Sequence, residues 1–157
     1  MMAADLLARA RARGIMITAA ESCTGGMVMA ALTEVPGSSD VVERGFVTYS
    51  NSAKIQMLNV SSDTLEAHGA VSVEVAAEMA RGALAASEAQ LAVSVTGIAG
   101  PGGSDHKPEG RVCFGIARTG CDVITDLQEF GALGRSFVRQ AARDHALHLM
   151  AEALDQP

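Results

Sequence analysis

The stretch Ala19-Ala20-Glu21-Ser22-Cys23-Thr24-Gly25-Gly26 decides how this chain is read. Before it stands Ile15-Met16-Ile17-Thr18, apolar and β-branched enough for a short buried strand; after it, Met27 to Leu32 reads as an apolar helix. The order is therefore strand, tight turn, helix. In that arrangement Ser22, Cys23 and Thr24 sit where the first N–H groups of a helix lack internal partners and its dipole favours negative charge. A phosphate or an oxyanion suits such a place. Gly25 and Gly26, with no Cβ, let a ligand or a second backbone come close. The plain alternative is that Ser22 or Thr24 merely caps the helix. Neither the Walker A pattern nor the dinucleotide fingerprint is present, so the stretch alone names no ligand.

The chain has 157 residues, 48% of them hydrophobic, which is enough for a single domain with a proper core. A net charge of -6 with scattered arginines argues against a nucleic-acid surface, which needs a clustered basic face. With only 3% aromatic residues, close helix-on-sheet packing is expected and base-stacking surface is not. Cys23, Cys113 and Cys121 are odd in number and lack CxxC spacing, which disfavours a disulfide framework or a zinc site and fits a reducing cytoplasm. No apolar run approaches the roughly 20 residues of a membrane span, and Met1 to Gly14 lacks a signal-peptide core. A soluble, cytoplasmic protein is expected.

Outward from the opening stretch, Ala3 to Arg13 has helical spacing and stops at Gly14. Val35 to Asp40 is dense in turn formers, and Val41 to Tyr49 reads as a strand with a bulge at Gly45. Ser50-Asn51-Ser52 offers caps for a short helix carrying Lys54, Ile55 and Leu58, and Ser61 or Ser62 for another ending before Gly69. Ser72 opens a longer helix with Val75, Met79 and Ala83, together with Ala76, Ala80 and Leu84, on one face; Gly82 inside it signals close packing. Leu91 to Val95 is a strand running into Thr96-Gly97-Ile98-Ala99-Gly100-Pro101-Gly102-Gly103, read as an irregular loop. Ligands of open α/β sheets bind beyond the carboxyl ends of strands, so this loop and the Ser22 turn are expected to face one crevice. Arg111 to Ala117 and Val123 to Phe130 form a hairpin. Arg135 to Leu154 is one helix burying Val138, Ala142, Ala146, Leu149 and Ala153.

Lysine occurs only at positions 54 and 107, against ten arginines. Lys54, at a strand-to-helix junction just after Tyr49, is a candidate for work that arginine cannot do, since a buried lysine can lose its proton. With a serine at a helix start it would make a Ser-Lys nucleophile and base; a surface lysine is the other reading. His145 and His148 share a helix face without an accompanying carboxylate motif, so a metal is not expected. His68 and His106 lie at loop edges. Cys23 reads as a packed thiol rather than the nucleophile, no histidine being placed to activate it.

The segments AESCTGG (20–26), LTEVPGSSD (32–40), GFVTYSNSAK (45–54), HGAVS (68–72), and VTGIAGPGG with KPEG (95–110) together resemble the CinA carboxy-terminal domain family of nicotinamide-nucleotide amidases. The likeness runs from the first helix to the last, over 1–157 as one domain. The resemblance implies a three-layer α/β/α fold with a mixed sheet. It also implies hydrolysis of the carboxamide of nicotinamide mononucleotide to nicotinic acid mononucleotide and ammonia, with no metal and no cofactor. Ser22 then matches the nucleophile, and Tyr49 and Lys54 the tyrosine and lysine that divide the proton transfers. Arg135 matches the phosphate partner, with Arg139 as rival. Cys23, Thr24, Gly25, Gly26, Ser39, Thr96, Gly97 and Gly100 would complete the substrate site through N–H groups and hydroxyls. Two departures stand out: many relatives carry a second, amino-terminal domain that is not expected here, and Glu109 and Arg111 stand where smaller or apolar residues are usual.

A function of another class remains: a nucleotide-binding regulatory module that uses the same crevice without turnover, separable by ammonia release. The small-molecule substrate is the expected partner, with no nucleic acid and no membrane, and a homodimer is expected from the apolar composition.

Overall fold

Each apolar run pairs or packs where its period requires. The computed structural model describes residues 2–104 and 106–157, with helices α1 (Met2–Ala12), α2 (Met27–Thr33), α3 (Asn51–Leu58), α4 (Ser62–His68), α5 (Val73–Ala85) and α6 (Arg135–Leu154). The strands are β1 (Ile17–Glu21), β2 (Val42–Val47), β3 (Leu91–Gly97), β4 (Arg111–Arg118) and β5 (Ile124–Glu129). They form one sheet in the order β2-β1-β3-β4-β5, with β1 parallel to both neighbours and the β3–β4 and β4–β5 pairs antiparallel. On one face α1, α2 and α6 bury Leu6, Leu7, Val28, Leu32, Val138 and Met150 against Ile17, Val93 and Phe114. On the other, α3, α4 and α5 bury Leu58, Leu65, Val75 and Met79 against Ala20, Phe46 and Ala92. The result is the expected three-layer α/β/α domain with a mixed sheet.

Local chemistry explains most boundaries. Ser50, Ser61 and Ser72 cap α3, α4 and α5, their hydroxyls accepting from the N–H groups of Ala53, Asp63 and Val75. Gly14, after α1, takes a φ of 65°, as a C-terminal glycine does.

Elsewhere the structure corrects the sequence reading. Strand β1 starts at Ile17 rather than Ile15 and runs through Glu21, because a central strand buried on both faces tolerates the small Ala19 and Ala20. Likewise β3 continues through Thr96 and Gly97, paired with Cys113 and Val112 of β4. The irregularity in β2 falls between Val42 and Arg44, not at Gly45. Gly45 is instead a packing glycine, since a Cβ there would lie 2.4 Å from Met29 Cγ. On α6 the buried residues beyond Ala146 are Leu147, Met150 and Leu154, while Leu149 and Ala153 are only partly covered.

Gly82 bears out the reading of close packing. A Cβ at this position would stand 1.9 Å from the carbonyl oxygen of Leu58, the last residue of α3, which is backbone and cannot swing aside. Gly82→Ala is therefore expected to destabilise the domain by about 1–3 kcal/mol despite alanine's better helix propensity. A urea unfolding midpoint at or above that of the wild type would contradict this.

Candidate active site

Because β2, β1 and β3 run parallel, their carboxyl ends lie at one edge of the sheet. The segments beyond them meet there: the turn after β1, the Thr48-Tyr49 segment after β2, and the 98–104 loop after β3. With Lys54 from α3 and Arg135 from α6 they line a cleft of 370 Å³, whose walls include Ser22, Cys23, Tyr49, Thr96 and Gly97. The single crevice expected from the two strand-to-loop junctions is present.

Strand alternation sets the chemistry at its floor. Along β1, Ile17, Ala19 and Glu21 face α1, α2 and α6, whereas Ala20 and then Ser22 face α3 and α5. Lys54 is 1% exposed and its Nζ donates to Ser22 Oγ at 2.9 Å, to the Thr48 carbonyl at 2.8 Å and to the Tyr49 carbonyl at 3.2 Å. Among the described residues no carboxylate pairs with it. Burial lowers its pKa from 10.5 to about 8. The surface reading of this lysine is thereby excluded. Cys23 lies beside Ser22 but is 6% exposed, and burial pushes its thiol up to about 12. That agrees with a packed thiol.

The residue the sequence reading missed is Glu21. It is fully buried, and its carboxylate accepts from the N–H groups of Gly26 (3.2 Å), Val28 (2.9 Å) and Met29 (3.0 Å). Neither Ser22 nor Thr24 caps α2: Gly26 is the capping residue, with no side-chain hydrogen bond, and Glu21 satisfies the orphan donors. The start of α2 is thus filled by the protein's own anion. Of the turn's amides, those of Cys23 and Thr24 have no oxygen acceptor among the described residues, while Gly25 N–H donates to the Ser22 carbonyl. The only signal for Glu21 in the sequence was an acid inside an otherwise apolar strand.

The remaining expected residues divide. Thr96 lies in the cleft wall, 1% exposed, its hydroxyl donating to the Ala70 carbonyl at 2.9 Å. Gly97 and Gly100 line the cleft too. Tyr49 meets Ser22 and Lys54 through its carbonyl, not its phenol: the side chain is 62% exposed and its hydroxyl accepts from Arg135 at 3.0 Å. Arg135 also donates to the Gly100 carbonyl at 2.8 Å and faces the cleft. Its rival Arg139 donates to the carbonyls of Cys23 (3.0 Å) and Thr24 (3.3 Å). Gly25, Gly26 and Thr24 do not line the cleft. The glycines serve instead to turn the chain, with φ of 57° and 113°, and the Thr24 side chain is buried. Ser39 is misplaced by the sequence reading: it precedes β2, at the amino end of the parallel strands and so across the sheet from Ser22. Glu109, which looked out of place in the sequence, accepts from Gly102 N–H at 2.7 Å and Gly134 N–H at 3.3 Å, tying the glycine-rich loop to the start of α6.

Comparison with known proteins bears on this arrangement. The profile of the family described as CinA C-terminal domain matches residues 1–154. The chain belongs to the CinA C-terminal domain family. It is 51% identical over 141 residues to the nicotinamide-nucleotide amidohydrolase PncC of Escherichia coli (strain K12), covering 89% of this chain and 85% of that one. To the protein of the same name from Enterobacter agglomerans it is 49% identical over 142 residues, covering 90% and 87%. Among solved structures, the competence/damage inducible protein CihA from Agrobacterium tumefaciens superposes with a TM-score of 0.94 at 46% identity, covering 99% of this chain and 94% of that one. The CinA-type fold and the Ser22 cleft thus occur together in a chain that matches these proteins nearly end to end.

Glu21→Ala would leave three N–H groups at the start of α2 without an acceptor. At about 1 kcal/mol or more for each, the expected loss is about 3 kcal/mol, read from chemical denaturation. An unchanged midpoint would show that water replaces the carboxylate.

Proposed function

We propose that the protein hydrolyses the carboxamide of nicotinamide mononucleotide, giving nicotinic acid mononucleotide and ammonia, with Ser22 as nucleophile and Lys54 as general base. The protein is an amidase: the relatives about half identical to it over most of both chains carry the name nicotinamide-nucleotide amidohydrolase. The observation that carries the Ser-Lys assignment is the Lys54 Nζ, buried with no carboxylate partner among the described residues and 2.9 Å from Ser22 Oγ. A lysine held this way is neutral for part of the time near neutral pH and can take the serine proton.

The steps follow from that contact. Ser22 Oγ attacks the amide carbon as Lys54 takes its proton, and the carbonyl oxygen becomes an oxyanion. The N–H of Cys23, a residue of the cleft wall, is the donor that stabilises it, worth about 3 kcal/mol in comparable sites. The Lys54 ammonium then protonates the departing nitrogen. Ammonia leaves, and water, deprotonated by the same lysine, hydrolyses the acyl-serine. At the rim, the Arg135 guanidinium and the amides of the glycine-rich loop hold the phosphate, fixing the ring for attack. The Tyr49 phenol, bonded to Arg135, belongs to this binding end.

Ammonia release from nicotinamide mononucleotide tests the reading directly. Ser22→Ala should fold normally and lose about 10⁴-fold or more in kcat. Lys54→Arg keeps a charge that cannot be neutralised, so it should be comparably inactive while still binding the nucleotide. A fully active Lys54→Arg enzyme would remove the Ser-Lys assignment. A base must be unprotonated, and burial holds the Lys54 pKa near 8. The rate of the wild type should therefore rise with pH through about 8 and level above it. A rate flat between pH 6 and 9 would point to another base.

A further inference from the structure

We infer that Arg139 is a positioning residue that holds the nucleophile turn so that its oxyanion donor, the Cys23 N–H, is aimed into the cleft, an inference that rests on the amidase reading above. Its guanidinium is half buried and spans two successive carbonyls of the turn, Nε donating to Cys23 O at 3.0 Å and Nη2 to Thr24 O at 3.3 Å. The same nitrogen lies over Gly25, where a Cβ would come within 3.4 Å of it. Arginine suits this work because its fork is planar and always charged.

The consequence follows from peptide geometry. The only cis bond among the described residues is Gly100–Pro101, so the Cys23–Thr24 peptide is trans and planar. In a trans peptide N–H points opposite to C=O. With the Cys23 carbonyl held by Arg139, the plane of this peptide is fixed, which sets Cys23 from its carboxyl side. The preceding peptide is fixed in the same way from within the turn, the Ser22 carbonyl accepting from Gly25 N–H at 3.1 Å and thereby directing the Cys23 N–H away. Glu21 pins the far end of the turn through Gly26. Each carbonyl of the turn is occupied, and among the described residues no oxygen accepts from the amides of Cys23 and Thr24, of which Cys23 belongs to the cleft wall. Electrostatic stabilisation is effective only if such a donor is oriented before charge develops, and Arg139 supplies part of that orientation from outside the cleft. It is not among the cleft-lining residues, whereas Arg135, one helical turn earlier, is.

The two arginines should therefore fail differently. Arg139→Gln is expected to lower kcat for ammonia release about a hundredfold, the magnitude of a weakened oxyanion donor, with KM changed by less than about threefold. Arg135→Gln should instead raise KM. A second readout needs no nucleotide: labelling of Ser22 by a small fluorophosphonate, in which the serine oxygen bonds to phosphorus, fluoride leaves with the bonding pair, Lys54 takes the proton, and the phosphoryl oxygen uses the same donor. Arg139→Gln should slow this labelling in step with kcat. A raised KM at unchanged kcat, or labelling at the wild-type rate, overturns the assignment. Should Arg139→Gln not fold, Arg139→Lys decides, because an ammonium lacks the fork: about a tenfold loss in kcat and in labelling rate is expected, and wild-type values for both overturn the inference. If the wild type labels at Ser22 but releases no ammonia, the proposed substrate is wrong and the labelling rates still test Arg139.

Discussion

A lysine ammonium held out of water with no carboxylate partner among the described residues is the constraint on which this structure turns. Removing a charge from solvent carries a penalty that a neighbouring anion normally offsets. Here an anion is adjacent in sequence, Glu21 beside Ser22, yet strand alternation sends its side chain to the opposite face. There it neutralises the start of α2 rather than Lys54. The lysine is left with a serine hydroxyl and two carbonyls as partners. These satisfy its donors without holding its proton as firmly as a carboxylate would, so its pKa falls instead of rising. One residue's offset along β1 thus separates a structural carboxylate from a reactive amine.

That placement depends on how closely the helices approach the sheet and one another. Lys54 is delivered by α3, whose last residue, Leu58, presses its carbonyl against the bare backbone of Gly82 on α5. In turn α5 lies against β4 at Gly115, where a Cβ would stand 2.4 Å from the Ala76 carbonyl. Ser94 reaches the same carbonyl, donating at 2.6 Å. A chain rich in small residues and poor in aromatics can pack its layers this tightly, so a methyl group added at Gly82 would move the helix that positions the base. Packing density is here a condition of the reactive geometry as well as of stability.

Much of this was legible from the sequence because it is governed by local rules. Serine caps, turn glycines, the hairpin and the alternation of apolar runs specify boundaries within a few residues, and the scarcity of lysine singled out Lys54. What escaped reading depends on partners distant in sequence. Glu21 looks like an acid interrupting a strand until α2 folds back over it. Thr96 and Gly97 look like loop until β4 supplies their ladder. Ser39 was credited to the cleft because it lies in a segment resembling the family, but the direction of β2 puts it at the other end of the sheet. The Tyr49 phenol, expected to share the proton transfers, meets Arg135 instead, and it is the Tyr49 carbonyl, which has no sequence signature and can only accept, that meets Ser22 and Lys54. Arg135 is preferred to Arg139 on the family resemblance alone, for both lie in the first two turns of one helix and its packing against α2 and β3 is what distinguishes them.

Helix α6 consequently joins the two ends of the site. It begins without a side-chain cap at Gly134, and the group that serves in its place is Glu109, which also holds Gly102 in the glycine-rich loop. From there Arg135 reaches the Gly100 carbonyl and the Tyr49 hydroxyl, and one turn later Arg139 reaches Cys23 and Thr24. The loop, the mouth of the cleft and the nucleophile turn are all tied to a helix whose far face is anchored in the core by Val138, Ala142 and Ala146. The arginine at the rim and the arginine at the nucleophile turn thus share one packed helix. The carboxylate at position 109, anomalous by family pattern, ties the glycine-rich loop to the start of that helix.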